Sequence, residues 1–218
     1  MIKTFFSFSL LFLMFPKVVH CSQLKLDFGK TKFFHLTFDD IPATNYQISN
    51  NMITANVTKS SSIFFHPFKK IIDVNHVSFE YQSSGNFKKM SPDQEKTKDG
   101  DDAPIRIGLI LKGDGAMVPF FAPAWIKKTK KELHFDTNKM IYIAGGLQSP
   151  PHSNWENPFS DSIMVRTAHC VKRSDSWYQC HSKFKKTQQV IGIWILADGD
   201  NTKSSFKTIL KNLLLSGP

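Results

Sequence analysis

The sequence predicts an all-β protein built as a single antiparallel β-sandwich with little helix. Apolar and polar side chains alternate in most segments after residue 21, and no long helical stripe of apolar residues occurs between residues 22 and 203. Long segments rich in turn-forming residues separate the alternating runs. Alternation with a period of two is typical of strands that bury one face, because successive side chains on a strand point to opposite sides.

The first segment has the features of a signal peptide. Lys3 gives a positive start, an apolar run extends from Phe5 to Phe15, and Val19 and Cys21 fit the positions that signal peptidase reads. The run is shorter than the roughly 20 residues that span a bilayer. An uncleaved membrane anchor, a buried strand and a lipoprotein acylated at Cys21 are the alternatives.

Cleavage after residue 21 predicts two parts, a signal peptide over residues 1–21 and one β-sandwich domain over residues 22–218. We therefore expect a periplasmic or secreted protein that has no transmembrane segment once the signal peptide is removed.

The composition fits a globular protein with a basic surface. The chain has 218 residues with 28 Lys+Arg, 18 Asp+Glu and 41% hydrophobic residues, which suffices for a hydrophobic core and excludes a disordered chain. Only Arg106, Arg166 and Arg173 are arginines. Because sites that read nucleic-acid sequence favour the arginine fork, we expect no nucleic-acid partner, whereas the net charge of +10 leaves contact with anionic envelope polymers open.

Five alternating runs predict strands, namely Leu24–Phe28, Val77–Tyr81, Ile105–Leu111, Met140–Ala144 and Ile163–Thr167. Residues 190–197 are apolar at nearly every position, which predicts a central strand that is covered on both faces.

Three segments interrupt this pattern and predict long loops, where binding sites are usually found: residues 82–104, 112–139 and 148–161. The C-terminal segment is ambiguous. Its large apolar residues from Phe206 to Leu214 recur at helical spacing and predict a helix, but Phe206, Thr208 and Leu210 would also line one side of a strand.

Residues 163–184 predict a hairpin that turns at Asp175. This register places Cys170 opposite Cys180 and His169 opposite His181, and directly opposed Cβ atoms lie only about 4.5–5.5 Å apart. In an oxidising compartment this register predicts a disulfide between Cys170 and Cys180. Free thiols and a Cys2His2 metal site are the alternatives. Neighbouring strand residues point to opposite faces, so a regular hairpin cannot bring all four side chains to one ion.

Acidic residues form two clusters, one around Asp102 and one in the segment Asp198-Gly199-Asp200-Asn201-Thr202. Asp198 and Asp200 are a candidate Ca²⁺ site, and the same segment also reads as a turn whose side chains satisfy backbone donors. Asp102, Asp198 and Asp200 are candidate acid and base residues. The sequence contains none of the common motifs for a serine nucleophile, a zinc helix or a phosphate loop.

Aromatic residues are frequent in the predicted loops and near strand ends: Trp125, Trp155, Phe159, Trp177 and Tyr178. Flat rings beside polar groups are typical of sites for sugars, because a ring face covers apolar C–H surface while neighbouring groups form hydrogen bonds. Each ring alone is also compatible with a place in the core.

The order of several motifs resembles a known family. These motifs are Asp101-Asp102 with Arg106, Tyr142, Asn157-Pro158-Phe159, Val165-Arg166, Trp177 and the segment from Asp198 to Thr202, preceded by Phe38-x-x-Ile41-Pro42-x-Thr44-x-Tyr46. Together they resemble the DUF3047 family of exported bacterial proteins of unknown function, over about residues 33–210. The resemblance implies a jelly-roll-like sandwich similar to carbohydrate-binding modules, with a strand at the C-terminus, and it implies no activity.

The sequence departs from that family pattern at several places. Gly199 stands where the family has Thr, and Ala144-Gly145-Gly146 stands where it has a strand end with a Trp. The lysine-rich segment 120–131 and the two cysteines of the hairpin are not part of the family pattern.

The leading functional prediction is a non-catalytic module that binds a glycan or another extracytoplasmic polymer. Its candidate ligand-binding residues are Asp102, Arg106, Trp155, Asn157, Phe159, Asp200 and Asn201. One alternative is a glycan hydrolase or lyase that uses the acidic residues. Another is an assembly protein of the envelope that pairs through an exposed edge strand.

Overall fold

The computed structural model describes residues 23–115, 122–174 and 176–218. The predicted signal peptide lies outside the described residues. The described part has one α-helix, α1 (Ala124–Glu132), and short 3₁₀ turns at Gln94–Lys96 and Lys98–Gly100. Its strands are β1 Gln23–Lys25, β2 Phe34–Thr37, β3 Asn45–Ser49, β4 Met52–Thr58, β5 Ser62–Asn86, β6 Ala103–Leu111, β7 Lys139–Gly145, β8 Asn154–Asn157, β9 Ser160–Thr167, β10 His169–Lys172, β11 Tyr178–Asp198 and β12 Ser205–Ser216.

The strands form one hydrogen-bonded path in the order β3-β4-β12-β5-β11-β6-β7-β9-β8. β1 pairs with β12, β2 with β5 and β10 with β11. The long strands β5 and β11 have register shifts along their length, and they change partners there. Bulges of this kind bend a strand, and here they let one sheet form both layers of the predicted β-sandwich.

The two faces of the central strands are covered by different partners. All residues of β6 from 103 to 110 and of β11 from 190 to 198 are buried, as the apolar run at 190–197 predicts. One face, with Ile105, Ile107 and Ile193, packs against β5 and β12 in the main core. The opposite face, with Trp194, packs against α1 and the loops that follow β7.

Regular structure extends into all three segments that predict loops. β5 continues to Asn86, α1 lies within residues 112–139, and β8 with the start of β9 lies within residues 148–161. Trp125 near the start of the helix and Leu133 just after its end pack against the core cluster on this face of the sheet. Tertiary packing of this kind provides most of the stability of a short helix.

One strand pair departs from the predicted antiparallel arrangement. β7 and β9 run parallel, with Met140 beside Ile163 and Ala144 beside Thr167. The cause is the short hairpin formed by β8 and β9. The chain descends along β8 at the edge of the sheet and returns along β9 between β8 and β7, so β9 takes the direction of β7.

The C-terminal segment is the strand β12, and the helix that its spacing predicts is wrong. β12 pairs with β4 on one side and with β5 on the other. Phe206, Thr208 and Leu210 are buried with period two, and the register then shifts between Lys211 and Leu214. After this bulge the buried positions are residues 213 and 215. Because even-numbered residues face the core before the bulge and odd-numbered residues after it, the apolar residues recur at a spacing that resembles that of a helix.

The hairpin of β10 and β11 has the register that the sequence predicts. Cys170 pairs with Cys180 and His169 with His181, and the two cysteines form a disulfide with their Cα atoms 4.0 Å apart. Among the described residues, no helix combines the length and the apolar character that crossing a membrane requires.

Candidate functional site

Arg106 is the centre of a buried polar network at one end of β6 and β11. Its guanidinium donates from Nη2 to Asp101 Oδ1 at 2.7 Å and from Nη1 to Asp198 Oδ2 at 2.6 Å. Asn157 donates from Nδ2 to the other oxygen of Asp101 at 2.7 Å, and the N–H of Ala103 donates to Asp198 Oδ1 at 2.9 Å. The Arg106 side chain is only 2% exposed, so the network excludes solvent from its ion pairs.

Asp102 organises the neighbouring turn after β11. Its Oδ2 accepts from the backbone N–H and the hydroxyl of Thr202 at 2.7 and 2.6 Å. Its Oδ1 accepts from the backbone and the side chain of Asn201, both at 3.3 Å. Four donors from this turn therefore converge on one buried carboxylate.

Burial and mutual repulsion set the pKa values of this region. Burial raises the pKa of Asp198, and Arg106 only partly offsets this effect. Burial also raises the pKa of Asp200, and the neighbouring Asp102 carboxylate raises it further. For Arg106, burial disfavours the charge, but Asp101 and Asp198 outweigh it and hold the pKa above its ordinary value.

The three candidate catalytic or calcium-binding carboxylates do meet in space. One oxygen each from Asp102, Asp198 and Asp200 lies within 4.8 Å of the others. Asp102 and Asp198 are buried and already accept the hydrogen bonds described above, whereas Asp200 is half-buried. Arg106 already provides a positive charge to this cluster, which is the role that a bound cation would otherwise have.

The motif near residues 38–46 holds the same end of β11. Thr44 is fully buried, and its hydroxyl donates to the carbonyl of Ala197 at 3.1 Å. The hydroxyl of Tyr46 donates to Ser62 O at 2.9 Å and accepts from the N–H of Ala197 at 3.1 Å. Burial raises the pKa of Tyr46, so its phenol stays protonated.

A concave surface lies elsewhere, beside the disulfide. We call it the Tyr81–Tyr178 groove. It has a volume of about 480 Å³, and the side chains in its wall are aromatic, aliphatic, polar and cationic. They include Tyr81, Ser83, Phe87, Lys89, Pro104, Gln148, Ser149, Thr167 and Tyr178.

Two tyrosines form the aromatic part of this groove. Tyr81 on β5 and Tyr178 on β11 occupy paired positions, and their rings stack with centroids 5.3 Å apart. Tyr178 is half-buried and Tyr81 is buried. Burial raises the pKa of Tyr81, and Tyr178 raises it further, so the Tyr81 hydroxyl stays neutral. The half-buried ring of Tyr178 is the part of this pair that reaches the surface.

A buried glutamate holds the opposite wall of the groove. Glu95 accepts from the N–H of Gln148 at 2.5 Å and from the N–H and the hydroxyl of Ser149 at 2.9 and 2.6 Å. Gly146 begins this segment with a φ of 84°, and an added Cβ would lie 2.9 Å from both Pro104 Cγ and Tyr81 Oη. The wall is therefore fixed closely against β5 and β6.

A second cavity lies between α1 and the sheet. It has a volume of about 450 Å³ and is lined mainly by apolar side chains, including Trp125, Met140 and Trp194. This α1 cavity continues the core cluster on that face of the sheet.

The seven candidate ligand-binding residues lie outside both cavities, as far as the described residues define the walls. Asp102, Arg106, Asn157 and Asn201 belong to the buried network or its turn, and Asp200 lies beside it. Trp155 packs at the edge of the core. Phe159 is 56% exposed, with Lys98 Nζ 5.6 Å from its ring centroid.

Sequence reasoning missed most of the Tyr81–Tyr178 groove. Tyr178 stands out as an aromatic residue near a predicted strand end, but Tyr81 fits the core pattern of its strand. The approach of Gln148 and Ser149 to β5 depends on Glu95, whose burial no local pattern indicates. The alternation of strand residues gives no signal for such a contact.

Comparisons with solved structures find carbohydrate-binding modules of family 29. A CBM29-2 mutant complexed with cellulohexaose matches with 6% identity and a TM-score of 0.41, over 91% of this chain and 92% of that chain. A CBM29-2 mutant complexed with mannohexaose has 7% identity and a TM-score of 0.39, over 91% and 93%. Another family 29 mutant has 7% identity and a TM-score of 0.36, over 90% and 92%. Similarity at these values does not bear on function.

No curated protein matches the sequence. Residues 32–214 match the family described as "Protein of unknown function (DUF3047)". This match covers most of the sequence, including the motifs of the buried network and the opening motif. The chain belongs to the DUF3047 family.

Proposed function

We propose that this chain is a non-catalytic binding module of an exported protein and that it holds a glycan or another extracytoplasmic polymer in the Tyr81–Tyr178 groove. The observation that carries the proposal is the wall of this groove, which joins the stacked rings of Tyr81 and Tyr178 to the side chains of Ser83 and Gln148. Its volume of about 480 Å³ falls in the usual range of ligand sites.

The chemistry of the wall suits a sugar better than an apolar ligand. A sugar ring has apolar C–H faces, which pack on aromatic rings, and hydroxyl edges, which need donors and acceptors. Tyr178 offers a half-buried ring, and Gln148 is exposed beside it. The α1 cavity lacks this mixture because apolar side chains dominate its wall.

The charge of the protein favours an acidic polymer. Lys89 is exposed and lines the groove. The sequence has a net charge of +10, of which Lys3 and Lys17 in the proposed signal peptide contribute two. A positive surface raises the local concentration of an anionic ligand and speeds its association. Anionic glycans of a bacterial envelope have this chemistry.

The state of the acidic residues supports a non-catalytic role. Asp102 and Asp198 are buried, and their oxygens accept hydrogen bonds from Thr202, Arg106 and Ala103. A general acid or base has to reach the reacting atom of its substrate. These carboxylates lie instead inside the protein, and the Tyr81–Tyr178 groove does not include them.

Export is part of the proposal. The Cys170–Cys180 disulfide is of the kind that persists in oxidising compartments, and residues 1–21 have the pattern of a signal peptide. The final location we propose is the periplasm or the medium.

Binding measurements with two matched aromatic variants test the groove directly. The purified protein is titrated calorimetrically with soluble peptidoglycan fragments and with lipopolysaccharide oligosaccharides, and it is also applied to a glycan array. We expect Tyr178→Ala to weaken binding of the ligand that is found by about 1–3 kcal/mol, the loss typical of one buried contact residue. Phe159→Ala, an exposed aromatic position outside the groove, should leave binding unchanged.

Two outcomes would overturn the proposal. One is the absence of binding to every probe at millimolar sugar concentrations. The other is a loss of binding in Phe159→Ala with normal binding in Tyr178→Ala, which would place the site near the residues that the sequence favoured. Circular dichroism of both variants checks that they are folded.

A further inference from the structure

Histidines gather on one face of the hairpin that carries the disulfide. His169 and His181 are paired across β10 and β11, and their ring centroids lie 4.8 Å apart. Because neighbouring strand residues point to opposite faces, these rings lie on the face opposite to the disulfide. His76 on β5 is also close, with its ring centroid 6.1 Å from that of His181.

The loop between β7 and β8 brings a further histidine to this face. The ring centroid of His152 lies 6.2 Å from that of His169 and 6.3 Å from that of His181. The backbone fixes this position, because the N–H of His152 donates to Thr167 O at 3.0 Å and the Thr167 hydroxyl donates to Pro150 O at 2.5 Å. These hydrogen bonds fix the loop and leave the imidazole nitrogens of His152 out of the contacts that hold it.

The three rings are close enough to share one ion. One ring nitrogen each from His152, His169 and His181 lies within 4.8 Å of the others. Nitrogens bound to one tetrahedral Zn²⁺ at about 2.0–2.1 Å are about 3.4 Å apart, so small side-chain rotations suffice to close the site. His152 is exposed and the other two rings are half-buried, which leaves an open approach for an ion.

The donor set selects the kind of metal. Imidazole nitrogens favour Zn²⁺, Cu²⁺ and Ni²⁺, whereas Ca²⁺ and Mg²⁺ prefer oxygen ligands. Arg166 repels positive charge at His152, and its guanidinium is held by Ser182, Asn154 and Lys183. The bonds between the metal and the imidazole nitrogens must outweigh this repulsion. This favours the divalent ions that bind nitrogen ligands most tightly, at the end of the first transition row.

We propose that His152, His169 and His181 form a binding site for a late first-row divalent cation, with Cu²⁺ or Zn²⁺ as the ion. Three protein ligands leave a fourth position open for water. None of the three histidines lines the Tyr81–Tyr178 groove, although His152 and His169 are next in the chain to residues that do. The existence of the metal site does not depend on the proposed glycan binding.

Metal titration of tag-free, disulfide-intact protein tests the site. After removal of metal by a chelator and dialysis, Cu²⁺ and Zn²⁺ are titrated by calorimetry, and the Cu²⁺ form is examined by electron paramagnetic resonance. We expect one ion per chain and hyperfine coupling to imidazole nitrogens. His152→Asn should weaken binding at least about tenfold, since even the loss of an outer-shell partner costs 10–100-fold.

The variants are chosen so that folding does not confuse the result. Asn at position 152 suits the left-handed backbone there, where φ is 66°. His181→Gln is a second variant with the same expected loss, and the exposed His134→Asn is the control that should bind like the unchanged protein. Circular dichroism of the metal-free forms confirms the fold. Failure of the folded protein to bind either ion, or equal binding by all variants, would overturn the proposal.

Discussion

The guanidinium of Arg106 and the carboxylate of Asp198 lie 2.6 Å apart on neighbouring strands, and both side chains are almost fully buried. This ion pair joins β6 to the end of β11. The guanidinium also forms an ion pair with Asp101, so one buried cation neutralises two buried carboxylates. The family motifs Asp101-Asp102, Arg106 and Asp198 therefore meet in one region. We interpret the buried network there as a structural element that stabilises this end of the β-sandwich.

Removing the cation should destabilise the fold strongly. Arg106→Leu leaves Asp101 and Asp198 buried without a counter-charge, and breaking one side of a buried ion pair typically costs about 3–5 kcal/mol. Urea unfolding followed by tryptophan fluorescence measures the free energy of unfolding. Arg173→Leu, at an exposed position, is the control. A loss below about 1 kcal/mol for Arg106→Leu would show that the network does not support the fold.

Removing the charge of Asp200 should stabilise the protein at neutral pH. Burial and Asp102 raise the pKa of Asp200 in the folded state, so its ionisation opposes folding. The favourable contribution is present below the unfolded pKa of about 4 and is lost as pH rises through the folded pKa. Asp200→Asn should therefore raise the free energy of unfolding at pH 7 by a few tenths to about 1 kcal/mol, allowing for its partial exposure.

The pH dependence of this effect supplies its check. At pH 2, well below the unfolded pKa of about 4 and below the raised folded pKa, the Asp200 side chain is neutral in both states, so the variant and the unchanged protein should have similar stability. Asp73→Asn makes the same change at an exposed position and is the control. Destabilisation by Asp200→Asn at both pH values would contradict the repulsion that we describe.

A methyl group at Gly146 should damage both the fold and the groove. The φ of 84° disfavours alanine, and its Cβ would meet Pro104 and Tyr81 at 2.9 Å. We expect Gly146→Ala to cost about 1–3 kcal/mol, the range for residues in sparsely populated backbone regions. Gly29→Ala is the control because its Cβ would find only an ordinary contact at 3.4 Å. Thermal unfolding of both variants makes the comparison, and equal stability would argue against a closely packed groove wall.

The disulfide should contribute measurably to stability. It closes a short loop, because Cys170 and Cys180 are separated by 10 positions in the sequence, and the chain-entropy relation gives about 2–3 kcal/mol for such a loop. The double variant Cys170→Ser with Cys180→Ser should lose this amount in urea unfolding. Reduced wild-type protein should show a similar loss, and no loss in either form would mean that the bridge does not constrain the chain.

The sequence predicts the strands of the β-sandwich well, because the alternation of apolar and polar side chains indicates which face of each strand is buried. The central strand at residues 190–197 and the pairing of Cys170 with Cys180 follow from period and turn position alone. The C-terminal strand does not follow, because the bulge before Leu214 changes which side chains face inward. The resemblance to the family supplied that strand where the local pattern predicted a helix.

Long-range contacts are the part that local patterns cannot give. The motif order indicates both Arg106 and Asp198 as candidate site residues. Their burial, however, becomes visible only when β6 and β11 are paired. His152 reaches His169 through a loop whose path depends on a hydrogen bond to Thr167. The groove beside Tyr178 depends in the same way on the buried Glu95.

Amide chemical shifts during a titration with soluble peptidoglycan fragments test the central proposal most directly. We expect the largest shifts at residues 83–89, 146–151 and 178, which surround the Tyr81–Tyr178 groove. Signals of Phe159 and of the turn at residues 198–202 should stay in place. Shifts confined to that turn and to Phe159, with the groove signals unmoved, would contradict the account.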